Sequence, residues 1–426
     1  MPTEAWLTRA AAARPAGKAL GSMEYGELLR QAQSAARRIA ALGAAPGEPG
    51  RWAPPGSRAA GSRGRRRRTA PPGAAPALPA RPAAERELLA AGCAAVVDGP
   101  LEGHEDPAAR PRSHCEPDEV AVLMHTSGST GEPTAVPLTY RNLWWSAAGS
   151  AVALGLDPDE RWLCCLPVAH VGGLSILVRS AIYATEAVVH GHFDTDSIMA
   201  SLSADDGPTM VSLVPTMLAR LLDAGLERPP ALRFALLGGA PAPEGLLARA
   251  QRAGVPVAPT WGMTEAASQV TTFGRPLFCT GVSASPQGEL LVDGPTVSPG
   301  CERPLATGDL GRVEPNGEVV VTGRLSSVII TGGENVQPAA VEAVLESHPA
   351  VLEAGVFGRP DEEWGEAVVA QVVPREEAQL DAAELGAWCH ERLAPFECPK
   401  EIRAVRSLPH TAAGKLDRAR MGESDG

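Results

Sequence analysis

The sequence predicts an α/β protein: a large layered α/β N-terminal domain over residues 1–323, followed by a small α+β C-terminal domain over residues 324–426. Three observations predict it. From residue 118 onward, short apolar runs alternate with amphipathic helical runs, the pattern of strands layered between helices. After Gln287 the pattern turns to strands joined by tight turns, such as Asn316-Gly317. Beyond Gly323-Arg324 the chain starts a helix–strand–strand–helix–strand order of its own.

The elements follow in chain order. Residues 24–42 carry Leu28, Leu29, Ala32, Ala35, Ala36, Ile39 and Leu42 at helical spacing, and Gly43 ends the helix. Residues 49–84 break the pattern: they hold eight arginines, including Arg65 to Arg68, and no Asp, Glu, Val, Ile, Phe or Tyr. Three readings stay open for this segment: a disordered basic arm, a patch for nucleic acid or anionic membrane, or a core segment whose reading frame was lost and regained. The strand-like Cys93–Val97 resumes ordinary α/β sequence. Strands are then expected at Val120–Met124, Leu163–Leu166, Ala187–Val189, Met210–Leu213, Phe234–Leu237 and Val255–Val257. Helices are expected at 140–153 and at Thr216–Asp223, the latter opened by Pro215. The β-rich stretch offers Gly288–Val292 and Gly317–Val321. The small domain offers helix Pro338–Ser347, strands Val351–Phe357 and Ala367–Val373, helix Ala382–Leu393 and strand Ile402–Val405.

Composition excludes several classes. A chain of 426 residues with 44% hydrophobic content supports two cores. The net charge of -12 argues against nucleic acid as a partner. No run approaches the ~20 apolar residues of a membrane span, and the N-terminus lacks a signal-peptide pattern, so a cytoplasmic protein is expected. Eight cysteines without a CxxC pair read as reduced thiols rather than a disulfide framework or zinc site. His190 and His192 lack a third metal ligand in the sequence.

The chemistry-bearing residues form ordered clusters. Thr126-Ser127-Gly128-Ser129-Thr130-Gly131 lies between two expected strands. Glycines let backbone N–H groups face a phosphate, and the hydroxyls add donors; the spacing is not that of a Walker A loop. Gly238-Gly239-Ala240-Pro241 ends one strand, and Trp261-Gly262-Met263-Thr264-Glu265 follows another. Thr307-Gly308-Asp309-Leu310 is expected in a turn, Gly323-Arg324 at the domain boundary, and Lys415 near the C-terminus.

Over about residues 110–420, this ordered set resembles the adenylate-forming superfamily of acyl-CoA synthetases, luciferases and adenylation domains. The resemblance implies ATP, Mg2+ and coenzyme A as cofactor and co-substrates, and a carboxylic acid as the small-molecule partner. An acid carboxylate would attack the α-phosphate of ATP, and positioned donors would absorb the developing charge. The 126–131 loop would hold the phosphates, and Thr264 would bond a phosphate oxygen. Glu265 would serve Mg2+ as an oxygen ligand. Asp309 would accept the ribose hydroxyls, and Arg324 would reach ribose or phosphate. Gly238 to Pro241 would line the adenine, with Trp261 stacked on it and Gly262 and Met263 beside it. Lys415 would bridge the substrate carboxylate and the α-phosphate. The small domain would then rotate about Ser327. The Thr331-Gly332-Gly333-Glu334-Asn335 loop would replace Lys415 and help form the thiol tunnel.

Finer strings point within the family. Tyr140 to Ser150, Leu166 to Ser175 and Arg179-Ser180-Ala181-Ile182-Tyr183 are similar to the o-succinylbenzoate–CoA ligase branch of menaquinone biosynthesis. That resemblance implies an aromatic dicarboxylate. Arg179 would anchor the carboxylate that is not activated, and His170 would gate the acid pocket. The chain departs from the family at Thr134, where the phosphate loop usually ends in Lys, at Ser327, where the hinge is usually charged, in residues 49–84, and in a short stretch between Thr272 and Gln287. A ligase for another aryl or fatty acid and an impaired nucleotide-binding homologue remain alternatives, and a homodimer is left open.

Overall fold

The structure is a computed structural model that describes residues 4–41, 50–52, 75–76, 95–97, 104–111, 113–127, 133–375, 381–410 and 416–421. Its centre is a nine-stranded sheet. Across that sheet the strands run Arg275–Pro276, Ser268–Thr272, Val257–Met263, Phe234–Leu237, Met210–Leu213, Arg161–Cys164, Glu186–Val189, Lys18–Leu20 and Met23–Glu24. The inner strands pair in parallel and only the two margins are antiparallel. Parallel strands covered on both faces are mostly apolar; every residue of Met210–Leu213 is buried, and its one polar side chain, Ser212, accepts at Oγ from Trp162 Nε1 at 3.1 Å.

Helices cover both faces. On one, Thr195–Leu202, Pro215–Asp223 and Glu244–Arg252 pack Ile198, Leu218, Leu221 and Leu246 onto Leu163, Val211 and Leu237. Leu218 and Leu221 are each 0% exposed, so truncating either to Ala would cost about 2–5 kcal/mol. On the other face lie Tyr140–Leu154 and Val171–Tyr183. No element is expected from the sequence for the second of these, whose Val-Gly-Gly start is a weak helix signal; Gly173 is nonetheless required there. A Cβ on Gly173 would lie 2.5 Å from Pro167 O.

A hairpin of Val120–Ser127 and Pro133–Thr139 forms a separate two-stranded arm. The antiparallel strands Gly281–Ala284, Glu289–Asp293, Leu305–Val313 and Val319–Arg324 make a four-stranded sheet. The expectation of a turn at Thr307–Leu310 is corrected: these residues lie inside strand Leu305–Val313. The glycine that suggested a turn, Gly308 at φ 69, is absorbed as a local irregularity in the strand, followed by a register shift at Leu310/Gly311. Likewise Trp261 lies within Val257–Met263 rather than after a strand.

The C-terminal unit has its own five-stranded sheet, with Glu334–Val336, Ile329–Thr331, Gly365–Pro374 and Val351–Asp361 in order and Glu401–Ala404 added in parallel to Gly365–Pro374. Helices Pro338–Glu346 and Ala382–His390 bury Val341, Leu345, Leu385 and Cys389 against it. Of the unusual segment 49–84, only residues 50–52 and 75–76 are described. Their backbone joins residues 95–97 in a small parallel sheet. The expected strand at Cys93–Val97 is described over Ala95–Val97, and the rest of that segment lies outside the described residues.

Candidate active site

In an open parallel sheet, ligands gather beyond the carboxyl ends of the strands, and the Gly238 and Thr264-Glu265 clusters lie there. Phe234–Leu237 ends in Gly238, where a Cβ would lie 2.5 Å from Thr260 Oγ1, and Gly239 follows at φ 82. The neighbouring strand Val257–Met263 runs into the 3-10 turn Thr264–Ala266, then doubles back as Ser268–Thr272 with Met263 opposite Ser268. The reversal is tight: a Cβ on Gly262 would stand 1.8 Å from Ser268 O. Only glycine fits there. Gly238 and the Thr264-Glu265 turn thereby sit at the ends of adjacent strands.

The four-stranded sheet supplies Asp309. Asp309 pairs in register with Arg324, and Arg324 Nε donates to Asp309 Oδ1 at 2.6 Å. Trp261 Nε1 donates to Asp309 Oδ2 at 2.8 Å. One carboxylate therefore ties the central sheet to the second sheet, and its side chain is 10% exposed. Each Asp309 oxygen keeps a lone pair for a further donor, since a carboxylate offers about four acceptor sites. The Asp309 backbone N–H donates to Thr307 Oγ1 at 3.1 Å, and that of Gly308 to Glu289 Oε1 at 2.8 Å. Trp261 also packs partly buried on Ala266, Val270 and Val292.

Glu265 is half-buried. Its backbone carbonyl accepts from Ser298 N–H at 2.8 Å. Among the described residues no hydrogen bond or ion pair engages its carboxylate. A single free carboxylate beside the Thr264 hydroxyl fits Mg2+, which takes one or two protein oxygens and completes its shell with water and phosphate.

His170 caps the start of Val171–Tyr183 in extended conformation. Ser175 on that helix lies 3.5 Å, hydroxyl to hydroxyl, from Ser268 beside the Thr264 turn, and Arg179 stands one turn farther along the same face. The guanidinium of Arg179 is buried, 2% exposed, and lies over the Trp162 ring at 5.3 Å. Its Nε and Nη2 have no hydrogen-bond partner among the described residues. Burial pulls its pKa down to about 10, with Tyr183 opposing.

The phosphate-loop residues Gly128, Ser129, Thr130 and Gly131 lie outside the described residues. Their arm is described up to Thr126 and Ser127, paired with Thr134 and Pro133. The exposed Thr134 accepts at its backbone oxygen from Thr126 Oγ1 at 3.5 Å. Lys415 also lies outside, but both flanks are held: His410 bridges Leu416, and Arg418 Nη2 donates to both Glu342 oxygens at 2.7 Å. The Gly332-Gly333 turn, at φ 60 and 83, joins strands that pair Thr331 with Glu334. These positive angles suit a two-residue hairpin turn. Gly332, Gly333, Glu334 and Asn335 are all exposed, and Trp364 underlies the turn, accepting at O from Gly332 N–H at 2.8 Å. Sequence reasoning missed Ser298, Glu289 and Trp364. Each acts through a partner far along the chain or through its backbone, so no local spacing marks it.

The AMP-binding enzyme pattern matches residues 69–330, and that of the AMP-binding enzyme C-terminal domain matches 340–415. The 2-succinylbenzoate--CoA ligase of Bacillus licheniformis is 40% identical over 337 residues, 71% of this chain and 70% of that protein. The enzyme of the same name from Geobacillus kaustophilus is 42% identical over 342 residues, 72% and 70% of the two chains. Among solved structures, the o-succinylbenzoate coenzyme A synthetase of Bacillus subtilis in complex with ATP and magnesium ion superposes at TM-score 0.87 and 30% identity, over 99% of this chain and 100% of that one. The same enzyme with its acyl-adenylate intermediate gives 0.86 and 31%, over 99% and 98%. With a family pattern over most of its length and relatives at this identity, the chain belongs to the AMP-binding enzyme family.

Proposed function

We propose that the chain is an ATP-dependent acid–CoA ligase that converts 2-succinylbenzoate to its CoA thioester through an acyl-adenylate. The observation that carries this reading is the Trp261–Asp309–Arg324 bridge between the two sheets, together with Glu265, whose carboxylate has no partner among the described residues. The substrate follows the names of the relatives and one feature of this chain, the buried Arg179, which has no counter-ion among the described residues. A buried cation without a counter-ion is costly, and a carboxylate from the substrate would supply one in a bidentate fork.

In the first half-reaction an acid oxygen attacks the α-phosphorus of ATP, the bond to the bridging oxygen breaks, and pyrophosphate leaves. Asp309 holds the ribose hydroxyls, Gly238 to Pro241 border the base, and donors of the 126–131 loop with Thr264 hold the phosphates. Bound at Glu265, Mg2+ would add positive charge at the phosphate oxygens. Lys415 neutralises charge between carboxylate and α-phosphate. In the second half-reaction the CoA sulfur attacks the acyl carbon, AMP leaves with the electron pair, and the thiol proton passes to solvent. The 332–335 turn then faces the adenylate, and His170 borders the acid. A cytoplasmic setting accords with seven free cysteines among the described residues.

A second reading, an impaired nucleotide binder, draws on Thr134, which leaves the phosphate arm without its usual cation. Incubation with ATP, Mg2+, CoA and either 2-succinylbenzoate, benzoate or a medium-chain fatty acid separates these readings by mass spectrometry. A thioester from 2-succinylbenzoate alone supports the proposal. A thioester from another acid overturns the substrate, and absence of any adenylate from folded protein overturns the ligase.

A further inference from the structure

The turn that carries Glu265 leaves on strained backbone. Ala267 and Ser268 have φ of 54 and 101, although neither is glycine. Such residues cost about 1–3 kcal/mol each and persist only where their surroundings over-determine them. One buried side chain bonds the strained segment directly, and two more brace the segments beside it. Ser146 Oγ donates to Ala267 O at 2.7 Å. Ser298 Oγ donates to Pro137 O at 2.7 Å, while its N–H donates to Glu265 O at 2.8 Å. Asn142 Oδ1 accepts from Thr139 N–H at 2.9 Å and from Thr139 Oγ1 at 2.8 Å, and its Nδ2 donates to Pro295 O at 2.8 Å and Val297 O at 2.9 Å.

Asn142 therefore uses all four hydrogen-bonding sites of its amide. Capping Tyr140–Leu154 needs only the oxygen. The nitrogen is committed to the 295–297 segment, next to Ser298. Pro137 and Thr139 belong to the arm that ends in the 126–131 loop, whereas Glu265 and Ala267 belong to the turn. Asn142, Ser146 and Ser298 are 3%, 2% and 0% exposed, too deep to meet a nucleotide.

We infer that Asn142, Ser146 and Ser298 form a buried bracket that sets the Glu265 turn against the phosphate-loop arm, as positioning residues for the adenylation half-reaction. The inference rests on the proposed role of Glu265 and deepens it. A bracket that holds two phosphate-binding elements in register matters while pyrophosphate departs. It has no part in the later attack of the thiol on the acyl carbon.

The test uses the full chain with Ser146→Ala and, as an independent variant, Asn142→Asp, which keeps the capping oxygen and loses the donor. Thermal melts first establish that each is folded. Acyl-adenylate formation from 2-succinylbenzoate is followed against Mg2+ concentration, and thioester formation is followed separately from preformed acyl-adenylate and CoA. A misplacement on the scale of 1 Å is expected to lower adenylation by about 10- to 100-fold and raise the Mg2+ requirement, with the thioester step within about twofold of the parent. Equal losses in both half-reactions, or an unchanged Mg2+ requirement, would overturn the bracket. Glu265→Gln runs beside them. If it leaves the Mg2+ dependence unaltered, the Glu265 role fails and the bracket's route fails with it. If it is impaired while both bracket variants match the parent, the bracket alone fails.

Discussion

Arg179 presents a conflict between stability and use at a single residue. Its guanidinium is buried over Trp162, with two nitrogens unsatisfied among the described residues, and burial pulls its pKa down to about 10. Even a buried ion pair can be replaced by well-packed apolar groups with no loss or a gain of about 1–4 kcal/mol, and Arg179 has no ion-pair partner among the described residues. Arg179→Met is therefore expected to raise the melting temperature. It should also raise KM for 2-succinylbenzoate at least about tenfold, the loss of one charge-assisted bidentate contact, with KM for ATP unchanged. A variant that is more stable and binds the acid normally would remove Arg179 from the pocket. Gly262 shows the opposite case, where geometry leaves no choice. A Cβ 1.8 Å from a backbone oxygen cannot be relieved by a side-chain rotation. Gly262→Ala should therefore lose the Thr264 turn and with it adenylation, and a variant with parental activity would show that the strand can part there. The side chains that bracket this turn were harder to read in sequence. Asn142 is recognisable as a helix-capping residue because its partner Thr139 is three positions away, but its bonds to Pro295 and Val297 cross more than 150 residues and leave no trace in local spacing.

Among the elements, legibility followed the length scale of the force that forms them. The bounds of Met210–Leu213 and Phe234–Leu237 are legible to the residue, since strands buried in a parallel sheet are mostly apolar, and the one polar member, Ser212, accepts at Oγ from Trp162 Nε1 at 3.1 Å. Those of Val171–Tyr183 are not, because its start depends on glycines that fit against Pro167 rather than on helix propensity. Thr307–Leu310 was misplaced for the same kind of reason: cross-strand pairing of Asp309 with Arg324 overrides the turn chemistry of Gly308. Helix Pro338–Glu346 was read correctly as an element, but its acids were not flagged. Burial pushes the Glu346 carboxyl up to about 7; the Ala354 N–H opposes this, Glu342 and Glu353 add to it, and Arg375 opposes it. Glu342 is also raised by burial, against the opposing pull of Arg418. A carboxyl whose pKa is higher in the folded state contributes stability that is complete below its unfolded value of 4.5 and lost as pH rises through 7. Chemical denaturation between pH 4.5 and 8 should thus show stability falling with pH over this window, and Glu346→Gln should flatten that fall, leaving the part due to Glu342 and to Glu160, which burial also raises. An unchanged slope in the variant would mean that Glu346 ionises normally in the folded chain.

At the scale of the whole molecule, two loops of the C-terminal unit are assigned to opposite halves of one reaction, and the structure allows them to be separated. The segment with Lys415 is stitched at its flanks, by the His410–Leu416 bridge, by His410 Nε2 against Glu353 at 2.8 Å, and by the Arg418–Glu342 pair. The Gly332-Gly333 turn lies elsewhere on the unit, backed by Trp364, and a Cβ on Gly332 would meet Trp364 Cε3 at 2.9 Å. Ser327, the proposed hinge, lies in the turn Leu325–Ser327 that directly follows Arg324, the partner of Asp309. If rotation exchanges the two loops, damage to one must spare the step served by the other. Lys415→Ala is expected to lower adenylation at least about 100-fold, because a positioned charge on a transferring phosphoryl group supplies roughly 3 kcal/mol or more of its barrier reduction, while preformed acyl-adenylate still reacts with CoA at near the parental rate. Gly332→Ala should do the reverse: it tilts the turn off Trp364 and slows thioester formation, with adenylation preserved. Rapid-quench measurement of both half-reactions in both variants gives a two-by-two result. Crossed losses require two working arrangements of a single small domain. Parallel losses in both variants would mean that Lys415 and the glycine turn act together in one fixed arrangement, and the rotation would have to be abandoned.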